Sequence, residues 1–87
     1  MKFPLLAIAV LDKGFVFVGS IRFQDGFYTI SNAQNIRRWG TKNGLGQLAE
    51  SGPQSETVLD PSPEVFVPQH SLIYLMACKP DAWPQYA

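Results

Sequence analysis

One cysteine, Cys78, and one histidine, His70, are all the thiol and imidazole that this 87-residue sequence contains. A lone cysteine excludes an internal disulfide framework, and a lone histidine leaves no Cys/His cluster for a structural metal. Charge is scarce as well: 16% of the residues are Asp, Glu, Lys or Arg, and they cancel to zero net charge. A neutral chain lacks the field on which binding to long nucleic acid depends, so long DNA or RNA is not an expected partner. No apolar run approaches the roughly 20 residues of a membrane-spanning helix, and no membrane association is expected. The apolar start carries one lysine, is interrupted by Pro4 and offers no convincing cleavage site before Asp12. It reads as a buried strand rather than a signal peptide, which makes a cytoplasmic location the expectation.

Paired catalytic groups are missing too. His70 and Cys78 stand eight positions apart, well over about 20 Å along a straight strand, too far for a thiolate–imidazole pair. Cys78 reads as a small buried hydrophobe and His70 as a surface turn residue beside Pro68. The carboxylates stand singly, Asp12 and Asp25 in turns, Asp60 and Glu64 beside prolines. None falls in a metalloprotease, nucleophile-elbow or calcium-loop pattern. The chain therefore reads as no enzyme, with no cofactor.

What is present is apolar and aromatic: 46% hydrophobic residues and eleven aromatic rings. The length allows one domain over residues 1–87, and a domain this small buries only about 60–65% of its unfolded surface. With so few charges to cover the rest, a homo-oligomer is expected. The charges are also unevenly spread. Residues 1–42 hold six basic and two acidic groups, a balance of +4, and residues 43–87 hold one and five, a balance of −4. Such a split could steer head-to-tail association or create one local basic pocket.

Turn signals at Asp12-Lys13-Gly14 and Gln24-Asp25-Gly26 separate β-rich runs over residues 5–11, 15–23 and 27–30, a three-stranded meander. Asn32, Gln34 and Asn35 interrupt the pattern, predicting a bulge or bend and then a short fourth strand over residues 36–39. Thr41 or Asn43 as N-cap, Leu45 and Leu48 at helical spacing, and Gly52-Pro53 predict a helix over 45–51. A loop over 52–64 surrounds the β-like Thr57-Val58-Leu59. Strands follow over 65–67 and 71–78, and the tail 81–87 reads as extended. The expected fold is mainly β, a small curved antiparallel sheet or partly open barrel with one short helix.

The densest group of chemically capable residues is Arg37-Arg38-Trp39 with Thr41, Asn43, Gly44 and Gly46. Alternation on a strand would project Arg37 and Trp39 together, about 7 Å apart. A guanidinium grips phosphate with two donors, and an indole stacks on a base. The loose glycine pattern from Gly44 to Ala49 cannot belong to a dinucleotide fold, which needs repeated βαβ units. It does leave backbone N–H groups free at a helix start, which suits an anion. The segment thus reads as a site for a small phosphorylated, nucleotide-type ligand. The competing reading is structural, with both arginines ion-paired to the acidic second half of the chain or of a neighbour.

Around this segment the chain resembles a family of short phage- and prophage-encoded proteins of uncharacterised function. The resemblance rests on Asn32-Ala33, Asn35 to Gly40, Gly44 to Ala49, Gly52-Pro53 and residues 65–78. It implies an accessory protein in an infected bacterial cell, expected to be an oligomeric sponge that sequesters a nucleotide-derived immune signal (anti-defence, cyclic nucleotide sequestration). The alternative expectation is a protein–protein module, a virion component or an inhibitor of a host protein, whose contact surface is Trp83 and Tyr86 with an exposed hairpin. A small RNA-binding barrel ranks third.

Overall fold

Alternation along the first strand puts Leu6, Ile8 and Val10 on one side and Leu5, Ala7, Ala9 and Leu11 on the other. In the computed structural model, which describes residues 2–86, both sides are in use. Strand β1 (Leu5–Leu11) runs through the middle of the molecule with Ile8 in one hydrophobic core and Ala7 and Ala9 in a second.

Five further strands follow: β2 (Val16–Gln24), β3 (Phe27–Arg38), β4 (Val58–Pro61), β5 (Val65–Pro68) and β6 (Leu72–Ala77). They form one antiparallel sheet in the order β4-β3-β2-β1-β6. Strand β5 lies beside the first half of β3, and β4 beside its second half. The helix α1 (Gly44–Ser51) covers the first core with Leu45, Leu48 and Ala49. That core also holds Val16, Val18, Ile36, Cys78 and Trp83.

The second core forms because the long β2–β3 hairpin bends and brings its distal half across β1. The bend lies where the β2–β3 register shifts, between Val18 and Ser20, opposite Asn32 at φ 51°. A Cβ on Gly19 would lie 2.7 Å from both Ile30 Cγ2 and the Ser31 carbonyl oxygen, so only glycine allows this approach. Ile21, Ile30 and Val67 then pack on Ala7 and Ala9, whose small side chains leave room. The sheet curls but does not close. Strands β5 and β6 are joined by a single turn, Gln69–Ser71, and have no pairing between them.

The mainly β fold with one short helix is as expected, in its curved, open form rather than as a barrel. Three local expectations need correction. The third and fourth strands are one strand, β3, because Asn32 takes the bend in a single left-handed residue while pairing with β2 continues. Val58 to Pro61 is a strand rather than loop, since β3 offers its second half as a template. The tail is not extended: Pro80–Ala82 and Pro84–Tyr86 are short 3-10 turns that carry Trp83 into the core. Ala87 of that tail lies outside the described residues. Among the described residues no helix is long and apolar enough to cross a membrane.

Candidate functional site

The Arg/Trp segment sits where β3 ends and the chain turns into α1. β3 pairs with β4 through Ile36↔Leu59 and Arg38↔Val58, with the register shifting between them. Arg37 falls in that irregularity and Trp39 lies past the strand end, so the alternation that would have aligned the two is broken. Arg37 Nε stands 2.9 Å from Asp60 Oδ2, and Arg38 Nη2 stands 3.3 Å from Glu56 Oε1. Both pairs are exposed and run from the basic first half to the acidic second half of the same chain. Part of the charge split is thus spent across β3 and its neighbours, which weakens the case for head-to-tail steering.

The remaining predicted residues are largely occupied by local structure. The Trp39 carbonyl accepts a 2.6 Å hydrogen bond from the Thr57 hydroxyl. The Thr41 hydroxyl donates to the Gly44 carbonyl at 2.6 Å, and the Asn43 N–H donates to Gln47 Oε1 at 2.8 Å. The latter is a side chain of the first helical turn reaching back to the N-cap N–H, and it satisfies one of the donors that an anion would need. Asn43 is the N-cap residue, without a side-chain cap bond. Asn43 and Gly46 line a shallow depression of about 510 Å³ with Gln47, Glu50, Ser51 and Lys79. Arg37, Arg38 and Trp39 do not line it. The fold therefore brings the seven residues into one neighbourhood without enclosing them. Trp39 remains 44% exposed, with its ring edge near Gly44.

A different surface is exposed at the far end of the β2–β3 hairpin. Phe27 pairs with Gln24 and with Pro68, and Thr29 pairs with Arg22 and with Phe66. These six therefore share the outer face, opposite the inward-facing Tyr28, Ile30 and Val67. Phe27 is half exposed and Phe66 is 62% exposed. Beside them a depression of about 580 Å³ is lined by Asp25, Gly26, Phe27, Pro68, Gln69 and His70. The Gln69 N–H donates to the Gly26 carbonyl at 3.0 Å and fixes the two loops to each other. Phe23 meets the Tyr28 ring at a 54° tilt with 4.7 Å between centroids, and Phe3 meets the same ring edge-on at 6.2 Å. Phe66 alternates with Val65 and Val67 along β5, and nothing in the sequence singled its ring out as the outward one. Its company with Phe27 depends on a pairing across more than thirty positions, which no local pattern carries.

The isolated reactive groups stand apart. Cys78 is buried in the helix-side core, and desolvation pushes its thiol up to about 12, against which a hydrogen bond from the backbone works only weakly. It is a protonated, inert thiol at neutral pH. His70 lies in the exposed turn of the hairpin-tip depression. Among the described residues no group of three or more His, Cys, Asp or Glu could hold a metal ion. No protein-family model matches the chain, and no curated protein matches it either. Roles for these residues rest on chemistry and geometry alone.

Proposed function

We propose that this protein is a non-catalytic recognition module that takes a protein partner on the apolar surface at the tip of the β2–β3 hairpin. The observation that carries this reading is the outward grouping of Phe27, Phe66 and Pro68 on paired strands, beside a depression that Asp25 and His70 line. Exposed aromatic rings on a fixed scaffold lose little side-chain entropy on binding, which is why interfaces are rich in them. Asp25 at the rim favours a partner that presents an apolar side chain flanked by a basic one. An accessory protein directed at a host enzyme or at a virion partner fits this surface. The part earlier assigned to Trp83 and Tyr86 passes to the hairpin tip, since Trp83 is buried and the Tyr86 hydroxyl donates to the Asn32 carbonyl at 2.7 Å.

The test is selection of binders to the full chain from a peptide-display library, followed by affinity measurement on Phe66→Asp and Phe27→Asp. Both positions face solvent, so both variants should melt within a few degrees of the parent. Affinity should fall at least about tenfold, as when a central aromatic anchor is removed. Selected peptides that bind both variants as tightly as the parent would sink the reading.

Capture of a nucleotide-type signal by an oligomer is the second reading, supported by a half-exposed Trp39 that follows two exposed arginines in the chain. Surface ion pairs such as Arg37–Asp60 contribute only about 0–1 kcal/mol, so a phosphate could displace their carboxylates. Thermal shift with a panel of cyclic di- and trinucleotides and cyclic ADP-ribose isomers separates the two readings. A ligand at about 100 times its dissociation constant adds about 2.7 kcal/mol of stability. That shift should vanish in Arg37→Ala and Trp39→Ala if this segment holds the ligand. A flat response across the panel removes this reading and leaves the hairpin-tip surface untouched.

A further inference from the structure

Three strands of this sheet have a neighbour on one side only: β4 and β5 against β3, and β6 against β1. Free strand edges template pairing with other chains, and proteins blunt them with shortness, proline and charge. β4 and β5 carry all three devices. Each is four residues long and ends in proline, with Asp60 inside β4 and Glu64 just before β5. β6 is six residues long and has no proline. It lies in the stretch 65–78, which has no Asp, Glu, Lys or Arg. Its one irregularity, opposite Val10 and Leu11, falls at the strand start and leaves Tyr74 to Ala77 regular.

The register identifies which backbone groups of β6 are free. The Cys78 N–H donates to the Leu6 carbonyl at 2.9 Å, which makes Leu6 and Cys78 a hydrogen-bonded pair. Alternation then makes Ile8/Met76 and Val10/Tyr74 hydrogen-bonded pairs, and Ala7/Ala77 and Ala9/Leu75 the open pairs between them. Leu75 and Ala77 therefore turn their N–H and C=O groups away from β1. No other backbone group among the described residues pairs with them. Side chains on this edge are open as well, with Ile73 60% and Tyr74 45% exposed.

We propose that β6 pairs antiparallel with β6 of a second copy of this chain, about a two-fold axis at Leu75. Such an edge selects an extended strand by main-chain hydrogen bonding, and an uncharged edge selects an uncharged strand. β6 itself meets both conditions. In the register centred on Leu75, Tyr74 lies opposite Met76 of the second copy, an aromatic against a thioether, and Ile73, at the irregularity, lies towards the small Ala77. No like charges meet across the axis. The pairing continues the sheet through both copies and covers the two exposed large side chains of β6, Ile73 and Tyr74. It goes beyond the hairpin-tip reading and does not depend on it, since β6 contributes nothing to that surface.

Sedimentation equilibrium of the full chain tests this at roughly 100 µM, where even a weak specific interface is populated. The expected mass is twice the 9.7 kDa of one chain. Ala77→Pro removes a donor from the free edge while leaving every β1–β6 bond in place, and it should yield the single-chain mass. Ile73→Lys, at an exposed position, should do the same with an unchanged far-ultraviolet circular dichroism spectrum. It decides the matter if the proline variant folds poorly. A parent protein at 9.7 kDa, or a dimer that persists in Ile73→Lys, overturns the proposal. Neither result bears on peptide capture at Phe66, so the two readings fail separately.

Discussion

Trp83→Ala is expected to lower the unfolding free energy by about 3–5 kcal/mol, the range for truncating a fully buried large aromatic. Trp83 is 0% exposed, packs with Leu48 and Ala49 of α1 against Ile8 and Val18, and meets the Tyr86 ring at 6.3 Å. Its indole N–H donates to the Ala49 carbonyl at 3.1 Å. An 87-residue domain holds roughly 4–13 kcal/mol in all, so this loss should lower the melting temperature by more than about 15 °C. Trp83→Phe separates the contributions. It keeps most of the apolar volume, and the Ala49 carbonyl still accepts the Lys79 N–H at 3.0 Å. The loss there should be about 1–2 kcal/mol. Urea unfolding followed by circular dichroism measures both. Equal, small losses in the two variants would mean that the tail does not hold α1 on the sheet. Deleting residues 80–87 should likewise unfold the protein rather than remove one contact surface.

Gly52→Ala should destabilise by about 2–5 kcal/mol, through backbone strain and overpacking together. Gly52 closes α1, its N–H donating to the Leu48 carbonyl at 2.9 Å, at φ 78° and ψ 179°. That conformation is open essentially to glycine alone. A Cβ there would also overlap the Ala82 carbonyl, at the turn that delivers Trp83. Gly46→Ala is the internal control, because a Cβ at Gly46 meets nothing within 4 Å and the residue lies inside α1. It should stabilise by about 0.5–1 kcal/mol, the helix preference for alanine over glycine. A Gly52→Ala variant as stable as the parent would show that the α1 end and the tail adjust freely. A destabilised Gly46→Ala would give that glycine a role that packing does not account for.

Much of the fold was legible along the chain. The meander followed from turn residues at Asp12 to Gly14 and Asp25 to Gly26, and α1 from Leu45, Leu48, Gly52 and Pro53 within one residue of its observed start. Cys78 was readable as core because a lone thiol in an apolar run packs like a small hydrophobe. The arginine segment was legible as a choice between two roles. The structure places carboxylates against both guanidiniums, Asp60 because β4 pairs with β3 and Glu56 because the preceding loop returns there. Neither contact is visible in local spacing.

The sequence by itself determined what depends on neighbours along the chain: the mainly β class, the turns, the single helix, the lack of a disulfide and the low charge. Period-two alternation and turn chemistry act within a few residues, so they can be read in order. Only the tertiary structure decided which aromatic rings are buried and which face outward. Trp83 and Phe66 are both apolar rings among prolines, and nothing within a few residues tells them apart. One is carried by a 3-10 turn onto α1, while the other lies on the outer face of β5, beside a hairpin half that bends at Gly19. Burial is set by contacts between distant segments, and that bend depends on backbone clearance across two strands.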